Sequence, residues 1–221
     1  SHGVGYTRRL DWGLDSLLGL QLNTSPNESL ETVLQVVSSR SSSGYKPRVT
    51  WAFVKYKLNE QIQLRAGRLG ADLYLFSDSR HIGYSYLPIR PPIEFYANLP
   101  LSYMDGIDAL IKTPLGNGLI VAKVYVGNVR EKILATENPP QYFSMDGSRL
   151  LGGHVEYQGQ HWMSRVGIAQ LNLRNEFPEA DLLKAGLRNP IIAAISPLAS
   201  SVADDIGYRN KSIRYISLGL A

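Results

Sequence analysis

The stretch Val49-Thr-Trp-Ala-Phe-Val-Lys-Tyr-Lys-Leu-Asn-Glu-Gln-Ile-Gln-Leu-Arg-Ala-Gly67 decides how this chain is read. It divides into two alternating runs around Asn59, Glu60 and Gln61, the signature of a β-hairpin. Ala52, Val54, Tyr56, Leu58, Ile62, Leu64 and Ala66 fall on one face, and Lys55, Lys57, Gln63 and Arg65 on the other. With Asn59 to Gln61 as the loop, Leu58 faces Ile62, Tyr56 faces Leu64 and Lys55 faces Arg65. Two cations directly opposite one another destabilise a sheet. On the wall of a water-filled lumen, the same ladder makes a field that acts on passing anions. The fold turns on whether the apolar face looks into a protein core or into lipid.

The alternation recurs along the chain. Period-2 runs lie near residues 14–22, 30–38, 49–58, 62–68, 104–112, 119–126, 150–158, 161–171 and 213–221. Extending the faces of the hairpin outward collects Leu18, Leu20, Leu22, Ile107, Ala109, Ile111, Ile120, Ala122, Val124 and Val126 with Val54, Tyr56 and Leu64. Leu151, Val155, Tyr157, Val166, Ile168, Ile216, Leu218 and Leu220 continue the set, and none of these positions is charged. A Lys or Arg at a bilayer midplane costs about 2–4 kcal/mol, so an uncharged face is what lipid requires. The opposite face carries Gln21, Lys55, Lys57, Gln63, Arg65, Asp108, Lys112, Lys123, His154, Glu156, Gln158 and Arg165, and reads as wet. Soluble antiparallel sheets also alternate. A secreted β-sandwich or small barrel binding a sugar or other small ligand therefore stands beside a membrane barrel on this ground.

Composition narrows the field. The chain has 221 residues, 44% hydrophobic and 19% charged, which is a folded rather than a disordered composition. It has no cysteine, which removes disulfides and thiolate metal sites. The net charge of +4 comes without any run of Lys and Arg, so a nucleic-acid partner is not expected. No apolar segment reaches the ~18–20 residues of a membrane helix, whereas a membrane barrel needs none.

The connections are the more specific signal. They are expected at 23–29, 39–48, 59–61, 69–103, 113–118, 127–149, 159–160 and 172–212, and short ones alternate with long ones. Outer-membrane barrels place short turns on one side and long loops on the other. In the last long connection, Glu179–Leu187 and Ile191–Ala194 read as helical stretches broken by Pro190 and Pro197, a lid rather than a surface helix.

Candidate chemistry is sparse. His154, Glu156 and Ser164 resemble parts of a hydrolase, but sharing a face would place Arg165 among Leu151 and Val155. A two-residue Gly159-Gln160 turn instead pairs His154 with Arg165 and separates Ser164 from them. Asp78-Ser-Arg-His81 reads as a solvated turn, and Asp105 and Asp108 point to opposite faces of a strand. No catalytic residue, metal site or cofactor is expected. Strict alternation aims Arg68 outward, where it would snorkel at a membrane rim. A bulge at Gly67 would turn it inward.

Asp15-Ser-Leu-Leu-Gly-Leu-Gln-Leu22, Trp51-Ala-Phe-Val-Lys-Tyr-Lys57, Leu64-Arg-Ala-Gly-Arg68, Asp105-Gly-Ile-Asp108 and Ser212-Ile-Arg-Tyr-Ile-Ser-Leu-Gly-Leu220 resemble segments of Gram-negative outer-membrane porins. The resemblance implies an all-β, transmembrane, antiparallel up-and-down barrel of sixteen strands. Such a barrel is often a homotrimer set in outer-membrane lipid, and it passes small hydrophilic solutes. It further implies that the long loop at 69–103 folds into the pore, with Asp72, Asp78 and Glu94 as constriction acids. The facing basic wall would be Lys55, Lys57, Arg65, Arg68, Lys123 and Arg165. The surplus of cations on the wet face predicts a mild preference for anions. Pro91-Pro-Ile-Glu-Phe95 stands where the family carries Pro-Glu-Phe-Gly-Gly, and the chain ends at Ala221 rather than at an aromatic residue. With nine runs, an odd number, the expectation is a portion of a longer barrel.

Overall fold

The computed structural model describes residues 16–41, 44–74, 101–137, 140–196 and 198–221. Among them, nine strands form one antiparallel sheet that follows chain order. These are β1 (Leu17–Asn27), β2 (Leu30–Ser41), β3 (Gly44–Lys57), β4 (Ile62–Gly70), β5 (Tyr103–Leu115) and β6 (Gly118–Val129), then β9 (Ser148–Gln158), β10 (Met163–Asn172) and β11 (Ser212–Leu220). A separate hairpin, β7 (Lys132–Glu137) with β8 (Pro140–Ser144), interrupts the meander between β6 and β9. Three short helices, α1 (Pro178–Leu187), α2 (Pro190–Ile195) and α3 (Ala199–Asp205), occupy the connection from β10 to β11. The chain is thus all-β in class, and its sheet is open, with β1 and β11 as the two edges. No described helix is long and apolar enough to cross a membrane.

Turn chemistry explains one end of the sheet. Asn27 Oδ1 accepts from the amides of Ser29 at 3.0 Å and Leu30 at 2.8 Å. Asn59 Oδ1 repeats the device with Gln61 at 2.9 Å and Ile62 at 2.8 Å. Both are Asx turns, in which the side chain replaces a backbone acceptor and closes the hairpin tightly. The connections expected at 23–29 and 39–48 are therefore largely strand, since β1 runs to Asn27 and β3 begins at Gly44. The long connections, from β4 to β5, β6 to β9 and β10 to β11, all leave from the opposite end.

The faces of the sheet carry opposite environments. On the outer face Leu20 is 75% exposed, Val124 62% and Leu218 80%. The core lies on the inner face, toward the long-loop end. There Leu69, Met104, Val129, Leu150 and Leu171 are buried beneath Leu73, Leu101, Phe143 and Met145, which come from the loops and the β7–β8 hairpin. The inner face is accordingly not wet throughout. Its long-loop half is a hydrophobic cluster, because the loops fold back over it and exclude water. Beyond the hairpin, Phe143 stacks on Phe177 at 3.8 Å, and Phe177 meets Tyr208 edge-on at 4.9 Å.

Glycines bend the wall. Gly67, at φ +132°, pairs with Gly106, which pairs with Gly127. A Cβ on Gly106 would sit 2.2 Å from the Val126 carbonyl oxygen, closer than any side chain allows. Glycine inside a strand marks this kind of close backbone approach or sharp bend.

Candidate functional site

The charged half of the inner face is built by register. Lys55 pairs with Arg65 across β3 and β4, as the hairpin reading requires. Each cation of this like-charged pair takes an acid from its other neighbour. Lys55 bridges to Glu31, its partner on β2. Arg65 is opposite Asp108 on β5 and grips it in a fork, with Nε 3.0 Å from Oδ1 and Nη2 2.5 Å from Oδ2. The Asp108 side chain is 1% exposed, and the Arg65 guanidinium also lies over the Phe53 ring at 5.2 Å. A planar guanidinium meets both a carboxylate edge and an aromatic face, which a lysine could not do as well.

The ladder continues through the loop. Lys123 Nζ lies 3.8 Å from Asp108 Oδ2 and donates to Asp72 Oδ2 at 2.5 Å. The other Asp72 oxygen accepts from Arg165 Nη2 at 2.7 Å, and that same nitrogen lies 2.9 Å from both the Asp72 carbonyl oxygen and His154 Nδ1. The Asp72, Lys123 and Arg165 side chains are each 4% exposed. Asp72 belongs to the connection that follows β4, so one carboxylate ties that connection to β6 and β10. Burial alone would raise the Asp72 pKa; Lys123 and then Arg165 outweigh it and hold the carboxyl below the usual carboxylate range. A cavity of about 300 Å³ opens beside the cluster, lined by Lys112, Lys123, His154, Glu156 and Arg165 with Asp72.

A second anchor lies in the connection from β10 to β11. Glu176 accepts from Lys184 Nζ at 2.5 Å and from the Tyr208 amide at 2.6 Å. It thereby joins α1 to the segment after α3. Burial again acts upward, but Lys184 and the backbone amides hold the Glu176 pKa down at about 2.

The structure thus brings Asp72 together with Lys123 and Arg165, and places Lys55 and Arg65 farther along the same wall with acids of their own. Lys57 is exposed at the end of β3, opposite Gln63. Asp78 and Glu94 lie outside the described residues. Arg68 is a correction to the basic wall. It pairs across the sheet with Ala52 and Asp105, on the face of Val54 and Ile107, with no shift of register at Gly67. Without a bulge, strict alternation holds. The guanidinium binds Asp105, with Nε 2.8 Å from Oδ1, and covers the Tyr103 ring at 4.1 Å.

The β9–β10 register is a second correction. The turn contains four residues, closed by the Gly159 amide donating to the Trp162 carbonyl oxygen at 2.9 Å. Arg165 therefore faces Glu156, and His154 faces Gly167. The bare glycine lets Arg165 reach His154 diagonally. Ser164, opposite Tyr157, lies on the other face from His154. Asp108 and Glu31 were not legible as partners. The signal for Asp108 is its position opposite Arg65, which requires a register set across a long connection. Among the described residues no group of three His, Asp or Glu side chains is placed to hold a metal ion.

No protein-family model matches this sequence, and no curated protein matches it.

Proposed function

We propose that this chain forms part of the wall of a porin-like, transmembrane β-barrel in a bacterial outer membrane. Its function is the passive diffusion of small hydrophilic solutes. The observation that carries the reading is the inversion of the two faces. Val54, Tyr56, Leu64, Ile107, Val124, Val155 and Leu218 are all exposed, between 41% and 80%, while Lys123, Asp108 and Arg165 are buried. A sandwich would cover the first set with a second sheet. Along β5 the uncharged outer positions run from Ile107 to Leu115, roughly 26 Å of strand at ~3.3 Å per residue, which at a barrel tilt of about 40° covers roughly 20 Å of the ~25 Å apolar band.

In this reading the nine strands are part of a larger closed barrel of porin type, surrounded by outer-membrane lipid and assembled as a homotrimer. The long loops lie on the outer side. Asp72 holds the start of the connection after β4, residues 71–74, against the wall. The lumen cations Lys55, Lys57, Arg65, Lys112, Lys123 and Arg165 outnumber Glu31, Asp72, Asp108 and Glu156, so the channel favours anions mildly.

The test is electrical. Full-length protein added to a planar bilayer should give discrete conductance steps and a reversal potential shifted modestly toward anions. Protein that dissolves without detergent and leaves the bilayer silent would overturn the channel. Cation selectivity would overturn the charge argument alone.

A further inference from the structure

The charged row nearest the short-turn end of the inner face is incompletely partnered. Lys112, Val121, Glu156 and Arg165 stand opposite one another across β5, β6, β9 and β10. Arg165 turns from Glu156 to Asp72, which it binds through Nη2 at 2.7 Å, and its own Nε is buried without an acceptor. Glu156 is 9% exposed, and among the described residues its side chain accepts only from Gln158 Nε2, a neutral donor, at 2.5 Å. The ammonium of Lys112, a half-buried residue, has no ion-pair partner among them either. A buried carboxylate is ordinarily paired with a cation. Lys112, Glu156 and Arg165 all line the cavity of about 300 Å³ beside the Asp72 cluster, a volume at the small end of ligand pockets. Neighbouring strands lie about 4.8 Å apart, so the Glu156 backbone is roughly 10 Å from that of Lys112 and roughly 5 Å from that of Arg165. Charge thus runs plus, minus, plus along the row. Lys112, Lys123 and Arg165 against Asp72 and Glu156 leave the cavity one positive charge in surplus.

We propose that this cavity is a saturable site for an acidic α-amino acid. The ligand ammonium meets Glu156, the α-carboxylate meets Arg165 Nε, and the side-chain carboxylate meets the long arm of Lys112. Such a ligand carries the complementary order, minus, plus, minus, and its single net negative charge cancels the surplus of the cavity. Hydrogen bonds between charged groups are about twice as strong as neutral ones, and each of the three would be of that kind. A dicarboxylate without an amine would leave Glu156 unpaired beside an anion. The proposal rests on the channel reading for the route by which a solute arrives, whereas the site itself uses the inner face alone.

Full-length protein in detergent is titrated calorimetrically with L-glutamate and, for comparison, with glutarate, which lacks the amine. Saturable glutamate binding is expected, about tenfold or more tighter than glutarate, since one hydrogen bond between charged groups separates them. Glu156→Gln keeps the shape and removes the charge. It should weaken glutamate about tenfold and leave glutarate no weaker, a change of preference that a merely structural role would not produce. Lys112→Gln should weaken both ligands. Unchanged far-ultraviolet circular dichroism checks that the variants keep their strands. Equal affinity for the two ligands, or a glutamate affinity that Glu156→Gln retains, overturns the site. Wild-type protein that forms channels but shows no saturable binding overturns the site and leaves the channel standing. Binding with the expected preferences by protein that leaves a bilayer silent overturns the channel and leaves the site standing.

Discussion

Val124 and Lys123 are neighbours in β6, yet Val124 is 62% exposed and Lys123 only 4%. In a protein surrounded by water the apolar residue is the buried one, and a fully buried lysine is rare unless paired. Here Lys123 is paired, to Asp72, and Val124 belongs to an apolar outer band, into whose long-loop edge Arg214 of β11 intrudes. The two faces differ in how they are stabilised. The inner face closes on itself through ion pairs set by register and by an inward connection. Among the described residues the outer face has no comparable covering, so its favourable environment comes from what surrounds the molecule. Changing one residue on each face should therefore give effects that depend on the solvent in opposite ways.

The largest effect is expected inside. Asp72→Ala leaves Lys123 and Arg165 buried together without their shared counter-charge, and breaking such a pair costs about 3–5 kcal/mol. Urea unfolding from vesicles should register that loss, and the reversal potential should move further toward anions. Asp105→Ala is the control, because it breaks a pair whose side chains are 27% and 26% exposed. Its expected cost is about 1 kcal/mol or less. Equal losses for the two variants would erase the distinction between the faces.

Next comes Val124→Arg on the outer face. In a bilayer it should cost about 2–4 kcal/mol, read from the same unfolding experiment. On a water-exposed surface the same substitution would fall within about 0.5 kcal/mol of zero. A near-neutral result in vesicles would break the comparison.

The smallest effect concerns Glu176. Its pKa is depressed from 4.5 to about 2 in the folded protein. Its anchoring is therefore complete above the unfolded value and fades as pH falls from 4.5 toward 2. With its rate at each pH normalised to cutting of an unfolded substrate, pepsin should cut the segment between β10 and β11 faster at pH 2 than at pH 4.5. Glu176→Gln should cut at the faster rate throughout and lose most of the pH dependence. A wild-type profile that stays flat would detach Glu176 from the closure of that segment.

Legibility in the sequence followed the range of the interactions. Strand existence and the Lys55–Arg65 pairing rest on period-2 alternation and a short loop, both local, and the structure reproduces them. The β9–β10 register slipped by two because Gly159-Gln160 resembles a favoured two-residue turn, while Trp162 closes a longer one. Parity survived the slip, so Arg165 kept its face. The β7–β8 hairpin was missed because its strands are short, six and five residues, inside a segment read as a connection. The inner apolar cluster was missed because Leu69, Leu150 and Leu171 stand beyond the polar positions of their own strands. Only the returning loops reveal that this half is dry. Asp72 was legible as a loop acid and Lys123 and Arg165 as cations of the facing wall, through the porin resemblance, but which of the six cations Asp72 meets was not, since its contacts to β6 and β10 span 51 and 93 residues.

If the apolar band of the outer face meets lipid, Val124 lies among acyl chains. These 221 residues contain no cysteine, so Val124→Cys, in full-length protein cleared of any cysteine outside them, provides a single thiol for a spin label. Full-length protein carrying that label is placed in vesicles, and its accessibility to oxygen and to a water-soluble nickel chelate is compared. High oxygen access and little nickel access are expected, as for a side chain among acyl chains. Ready nickel access, or a label immobilised and closed to both reagents, would contradict that contact with lipid.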